Sequence, residues 1–118
     1  MKYMTIKLMD GIILVTFNYG LKITLDIAKE MVQERIQMQQ GVSHPLVIVA
    51  KGFKIDSKEV REYLKKEGIV GLKSGAFVVE NIFEKVMVNF FLIVVPPKVP
   101  SKMFTNLEEA MEWSKKYR

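Results

Sequence analysis

PLVIVAKGFKIDSKEV, residues 45–60, decides the fold. Pro45 opens a short, continuous apolar run to Ala50. Such a run, flanked by helical patterns on both sides, predicts a strand buried on both faces of a parallel sheet. Lys51–Asp56 follows as a basic loop, and Ser57–Glu67 as a helix that Gly68 stops. Two signals choose Asp56 as the helix cap. It places Glu59 at the third helical position, completing a capping box, and it places Ile55 and Val60 as a hydrophobic staple. With Ser57 as the cap, Val60 would stand where Glu59 should, and the box would be lost. The expectation is therefore Asp56 at the cap and Ser57 at the first helical position with its hydroxyl free.

Working outward, residues 3–9 (YMTIKLM) alternate polar and apolar as a half-buried strand does, and Asp10-Gly11 is a type I′ hairpin pair. Ile12–Asn18 returns as a more apolar strand, and Asn18–Ile23 is a loop. Thr24 caps a helix that runs to about Gln40 and stops at Gly41; Ala28, Met31, Val32 and Ile36 share one face, with Arg35 at its edge. Past Gly68 the glycine-rich GIVGLKSG (68–75) is expected to be loop, Ala76–Glu80 a strand, Ile82–Val95 an apolar helix ended by Pro96-Pro97, Ser101–Thr105 a strand and Leu107–Tyr117 a helix. The order β-β-α-β-α-β-α-β-α predicts an α/β domain spanning 1–118. Its sheet is mainly parallel, with an antiparallel N-terminal hairpin and about four helices. In such sheets function gathers in the loops after the strands, here 18–23, 51–56, 80–81 and 105–106, which should open on one edge.

The residues that carry this reading resemble the STAS family, named for sulfate transporters and bacterial anti-sigma factor antagonists. The order of elements is similar over nearly the whole chain, and the most specific local likeness is residues 45–60: buried strand, short loop, then Asp56-Ser57 at the mouth of a helix. In the antagonists the serine is the phosphoacceptor, so the resemblance implies that role for Ser57. Those antagonists follow Asp-Ser with a small residue and Gly, whereas Lys58-Glu59 follow here. Pro97, Pro100, Phe104, Ala110 and Trp113 resemble a narrower group of short bacterial STAS-like proteins. A phosphate on Ser57 would lie at the positive end of the helix dipole, near Lys54 and Lys58 and opposed by Asp56 and Glu59. The plain alternative is a serine favoured in a first helical turn.

Composition narrows the chemistry. With 118 residues, half of them hydrophobic, the chain can bury a core without cross-links. It has no cysteine, which excludes disulfides, thiolate metal sites and a cysteine nucleophile, and fits a reducing cytoplasm. The apolar segment 82–95 is too short for a transmembrane span and carries Glu84, Lys85 and Asn89. Of the net charge of +5, residues 51–73 supply most, with seven basic and four acidic side chains. Nucleic acid is not expected, because the lysines alternate with acids and no aromatic stacking motif accompanies them. His44, the single histidine, precedes Pro45 and so falls in a loop at the wrong edge for an active site; one histidine makes neither a catalytic triad nor a typical metal site. Glu108-Glu109 follow Thr105-Asn106 as capping residues rather than as an acid–base pair.

No catalytic, metal or cofactor residue is expected. The reading is a non-enzymatic module that binds a protein partner through Lys51, Lys54, Asp56 and Lys58, with Ser57 as candidate phosphoacceptor. The alternative uses helix 82–95, whose Phe83, Val86, Met87, Phe90, Phe91 and Val94 cannot all face one sheet. Either neighbours cover it, or a stripe is left to form a homodimer interface or to line a pocket for an apolar, lipid-like ligand.

Overall fold

The computed structural model describes residues 2–55, 57–94 and 99–118, and of residues 90–94 the backbone. Strands β1 (Met4–Met9) and β2 (Ile12–Phe17) form the expected hairpin, with Met9 opposite Ile12. Asp10 and Gly11 between them have φ of 54° and 77°, the double left-handed geometry that a type I′ turn demands. β4 (His44–Val49) lies parallel to β2, β6 (Leu72–Val78) parallel to β4, and β7 (Ser101–Phe104) parallel to β6. The sheet order is β1-β2-β4-β6-β7. The helices are α1 (Leu25–Gln39), α2 (Lys58–Glu67), α3 (Ile82–Val94) and α4 (Leu107–Lys115). This is the α/β architecture expected from the sequence.

β2 shows why the sheet is a two-sided core. Ile13 and Val15 join the cluster that holds Ala28 and Met31 of α1, Val60 of α2 and Val88 of α3. Ile12 and Leu14 join the opposite cluster, with Val47, Val78 and Ala110 of α4. All four β2 residues are buried, each contributing about 1.5–3 kcal/mol by leaving water. The aromatic ladder Phe104–Trp113–Tyr117 seals α4 onto its face, with ring centroids 5.7 and 4.9 Å apart.

Several boundaries depart from expectation. Residues 18–23 and 51–56 are not loop throughout: β3 (Lys22–Ile23) and β5 (Lys54–Ile55) pair as a second, two-stranded parallel sheet. Two residues carry too little periodicity to be seen without the partner strand. β6 starts at Leu72, inside the stretch expected to be loop, and Gly75 sits in mid-strand between Leu46 of β4 and Ser101 of β7. Pairing on both sides overrides the weak strand preference of glycine. His44 is the first residue of β4 rather than a loop residue; it is half-buried, and its Nδ1 lies 3.1 Å from the carbonyl of Gly11. Val95 and the Pro96-Pro97 stop lie outside the described residues.

Arg35 is buried rather than at the edge of its helix face. It bonds the Gln39 side chain and donates to the carbonyls of Val70 (2.8 Å) and Gly68 (3.2 Å). Gln39 in turn donates to Val42 and Gly71. The pair fastens the end of α1 to the chain leaving α2, with a cation at the negative end of the α2 dipole. Desolvation lowers the Arg35 pKa to about 10, partly countered by Tyr63, and the group stays charged at neutral pH.

Candidate functional site at the C-terminal edge of the sheet

The start of α3 organises this edge. Asn81 Oδ1 accepts from the N–H of Glu84 (3.0 Å), and the Glu84 carboxylate reaches back to the N–H of Glu80 (2.7 Å) and to Asn81 Nδ2 (2.8 Å). This is reciprocal capping by an Asn-x-x-Glu pair, shifted one residue from the usual box. A fourth bond leaves the helix: Gly52 N–H, in the loop after β4, donates to Glu84 Oε2 at 2.6 Å. Glu84 is 1% exposed, the sole buried carboxylate among the described residues. Its oxygens are occupied by donors, so it holds loops together rather than serving as a free base.

Gly52 has φ +74°, and a Cβ there would come within 2.9 Å of Gly20 N and 3.1 Å of the Tyr19 ring. The loop after β2 therefore presses on the loop after β4. Lys54 N–H donates to Leu21 O at 2.9 Å, and Lys22 and Ile23 pair with Lys54 and Ile55. The segments after β2, β4 and β6 are thus tied into one edge, as the chain's topology predicts.

Beneath them lies an apolar pocket of about 70 Å³ lined by Phe17, Ile23, Ile48, Phe53, Ile55 and Val88, among others. Among the described residues every lining side chain is apolar. A second hollow of about 60 Å³ shares Phe17 and Ile48 and reaches Arg35. On the outside, Tyr19 and Phe83 are 77% exposed, Ile82 68% and Val86 63%. Ile82, Phe83 and Val86 fall on one side of α3, so a stripe of that helix is uncovered, the second of the two arrangements its sequence allowed. Of the six side chains that cannot all face one sheet, those of Phe90, Phe91 and Val94 lie outside the described residues.

Lys51 in the loop after β4, Lys54 in β5 and Lys58 at the start of α2 are all exposed. Ser57 corrects the capping expectation. Its backbone is extended (φ −136°, ψ 149°), its hydroxyl accepts from Val60 N–H at 3.2 Å, and α2 begins at Lys58. Ser57 is the N-cap, and its hydroxyl is engaged. Pairing of β5 with β3 keeps the chain extended through Ile55 and delays the helix. Asp56 lies outside the described residues. Asn106 caps α4 by accepting from Glu109 N–H at 3.1 Å, as expected for Glu108-Glu109.

Glu84 is the residue that sequence reading missed as a site-builder. Its signals were an acid inside an apolar helix and the Asn81-x-x-Glu84 spacing. Among the described residues, no three His, Asp or Glu side chains gather as a metal site, and no helix is long and apolar enough to cross a membrane.

No curated protein matches the chain. Among solved structures, it is similar to an uncharacterised protein of the DUF3478 family with a SpoIIAA-like fold, from Shewanella loihica PV-4. That match has 13% identity and a TM-score of 0.66, and covers 94% of this chain and 91% of that one. It is also matched to a protein of unknown function from Arthrobacter sp. FB24, at 23% identity and a TM-score of 0.33, over 92% and 96% of the two chains. The first likeness shows the fold to be SpoIIAA-like, of the STAS type. Residues 4–118, nearly the whole chain, match the family described as Domain of unknown function (DUF7793), and the protein belongs to that family.

Proposed function

We propose that the protein is a non-enzymatic interaction module, working in the cytoplasm, that binds a protein partner at the C-terminal edge of its sheet. One observation carries the reading: three large apolar side chains, Ile82, Phe83 and Val86, stand exposed on the first turns of α3, on an edge that Glu84 ties together. Apolar side chains grouped on a held surface, with exposed Lys51, Lys54 and Lys58 on the segment whose Gly52 is bonded to Glu84 of α3, suit a partner that offers both apolar and acidic side chains. The finer part of the proposal is that phosphorylation of Ser57 modulates this surface. A phosphate at the α2 N-cap would accept from the Val60 N–H that now bonds the hydroxyl, and would add negative charge beside Lys54 and Lys58.

The test is a photoreactive residue placed at position 83 in living cells, with position 112 on α4 as control. A discrete protein adduct from position 83 alone is expected, and it should weaken with Lys54→Glu. Equal labelling from both positions would remove the proposal. Ser57→Asp that leaves the adduct unchanged would remove the phosphorylation step alone.

The pocket favours a second reading, an apolar ligand held under the same loops. Its described lining residues are all apolar, and Ala50, 2% exposed, is one of them. Native mass spectrometry of protein purified from its own host should then show a retained small molecule that Ala50→Leu expels. An adduct-free spectrum counts against it.

A further inference from the structure

β1 stands at one margin of the five-stranded sheet, with β2 on one side of it. Which of its backbone groups face the open side follows from the ladder. Asn18 N–H donates to Tyr3 O at 2.9 Å, and Met9 pairs with Ile12 across the two-residue turn. In an antiparallel ladder alternate residues turn both N–H and C=O to the same neighbour. Thr5, Lys7 and Met9 therefore bond inward to β2, and Met4, Ile6 and Leu8 direct their backbone groups outward. No strand among the described residues meets them. The same strand leaves Leu8 52% and Met9 42% exposed. An open edge with apolar side chains is a template for another strand.

We propose that this edge pairs antiparallel with β1 of a second copy, Ile6 opposite Ile6, so that two sheets become one. The strand is complementary to itself. A two-fold axis normal to the sheet places residues of equal parity opposite one another, and the bonding pairs must come from Met4, Ile6 and Leu8. Centred on Ile6, Met4 meets Leu8 of the second copy and all three outward residues bond, giving about six backbone hydrogen bonds. Thr5 then faces Lys7 of the second copy. Centred on Lys7, two ammonium groups stand directly opposite, which is destabilising, and Met4 loses its partner. Lys7 thus selects the register and does not block the edge. The paired arrangement also sets Leu8, exposed in the single chain, against the Met4 end of the other strand.

The chain has no cysteine, so one introduced thiol can bond only to another chain. Sedimentation from micromolar to millimolar protein should show a species of twice 13.6 kDa. Ile6→Cys should cross-link on mild oxidation, because opposed residues of a hydrogen-bonded pair lie within disulfide reach. Lys7→Cys should not. Leu8→Pro removes an outward N–H and no bond to β2, so it should give a monomer with unchanged circular dichroism. A wild-type monomer at every concentration, a dimer that survives Leu8→Pro, or cross-linking from Lys7→Cys in preference to Ile6→Cys would each overturn the proposal.

Discussion

Glu84 joins α3 to the loop after β4 through one carboxylate, which makes it the side chain on which the candidate edge depends most. Glu84→Gln keeps the shape but turns one acceptor into a donor facing N–H groups. We expect a loss of about 2–3 kcal/mol in urea unfolding, since a buried donor is left without an acceptor. Amide exchange should speed at Gly52 and Glu80 before it does in β4; uniform acceleration across the sheet would mean that Glu84 stabilises the fold and not the edge. Ser74 is the opposite case. Its Oγ is fully buried on β6 and has no hydrogen-bond partner among the described residues. Ser74→Ala should be neutral or stabilising by up to about 1 kcal/mol, read as the urea midpoint.

At the scale of the element, α2 tests the capping assignment. Ser57→Ala should cost about 1 kcal/mol, while Ser57→Asp, an equally good cap, should stay near wild type. If alanine cost nothing, the cap would lie elsewhere. Stability therefore does not report a phosphate mimic at this position, and binding must. α2 also shows where local reading stops. The helix itself was visible from Ser57 and Gly68, but its first residue depended on β5, which holds Ile55 extended against Ile23. The capping box and the staple were genuine local preferences, and a tertiary strand pair outweighed them. In β6 the same competition moved a strand start back from Ala76 to Leu72, because Ser74, Gly75 and their neighbours bond to β4 and, from Gly75, to β7.

At the scale of the molecule, Arg35 and Gln39 bind α1 to the chain between α2 and β6. Arg35→Met should cost about 3 kcal/mol in thermal or urea unfolding, because the carbonyls of Gly68 and Val70 and the Gln39 amide lose a charged donor. Hydrogen exchange should localise the loosening to the end of α1 and residues 68–71. If the loss came with equal loosening of α4, on the other face of the sheet, the clamp would be no more than general core packing. Because this clamp and Glu84 sit at opposite edges of the sheet, their losses should add.

By itself the sequence determined the order of elements, the hairpin turn, the two-faced burial of the central strands and the edge on which the loops gather. Each of these is written in residues close in the chain: Asp10-Gly11 for the turn, Pro45–Ala50 for the buried strand, Gly68 for the end of α2. The structure alone decided the partnerships between distant residues. Lys22–Ile23 becomes a strand because Lys54–Ile55 lies beside it; Glu84 becomes buried because Gly52 arrives to donate; Arg35 becomes interior because two carbonyls more than thirty residues away accept from it. Which face of α3 remains uncovered belongs to the same class. A helix apolar nearly all round holds no preference among its faces, and packing against the sheet through Val88 leaves Ile82, Phe83 and Val86 in water.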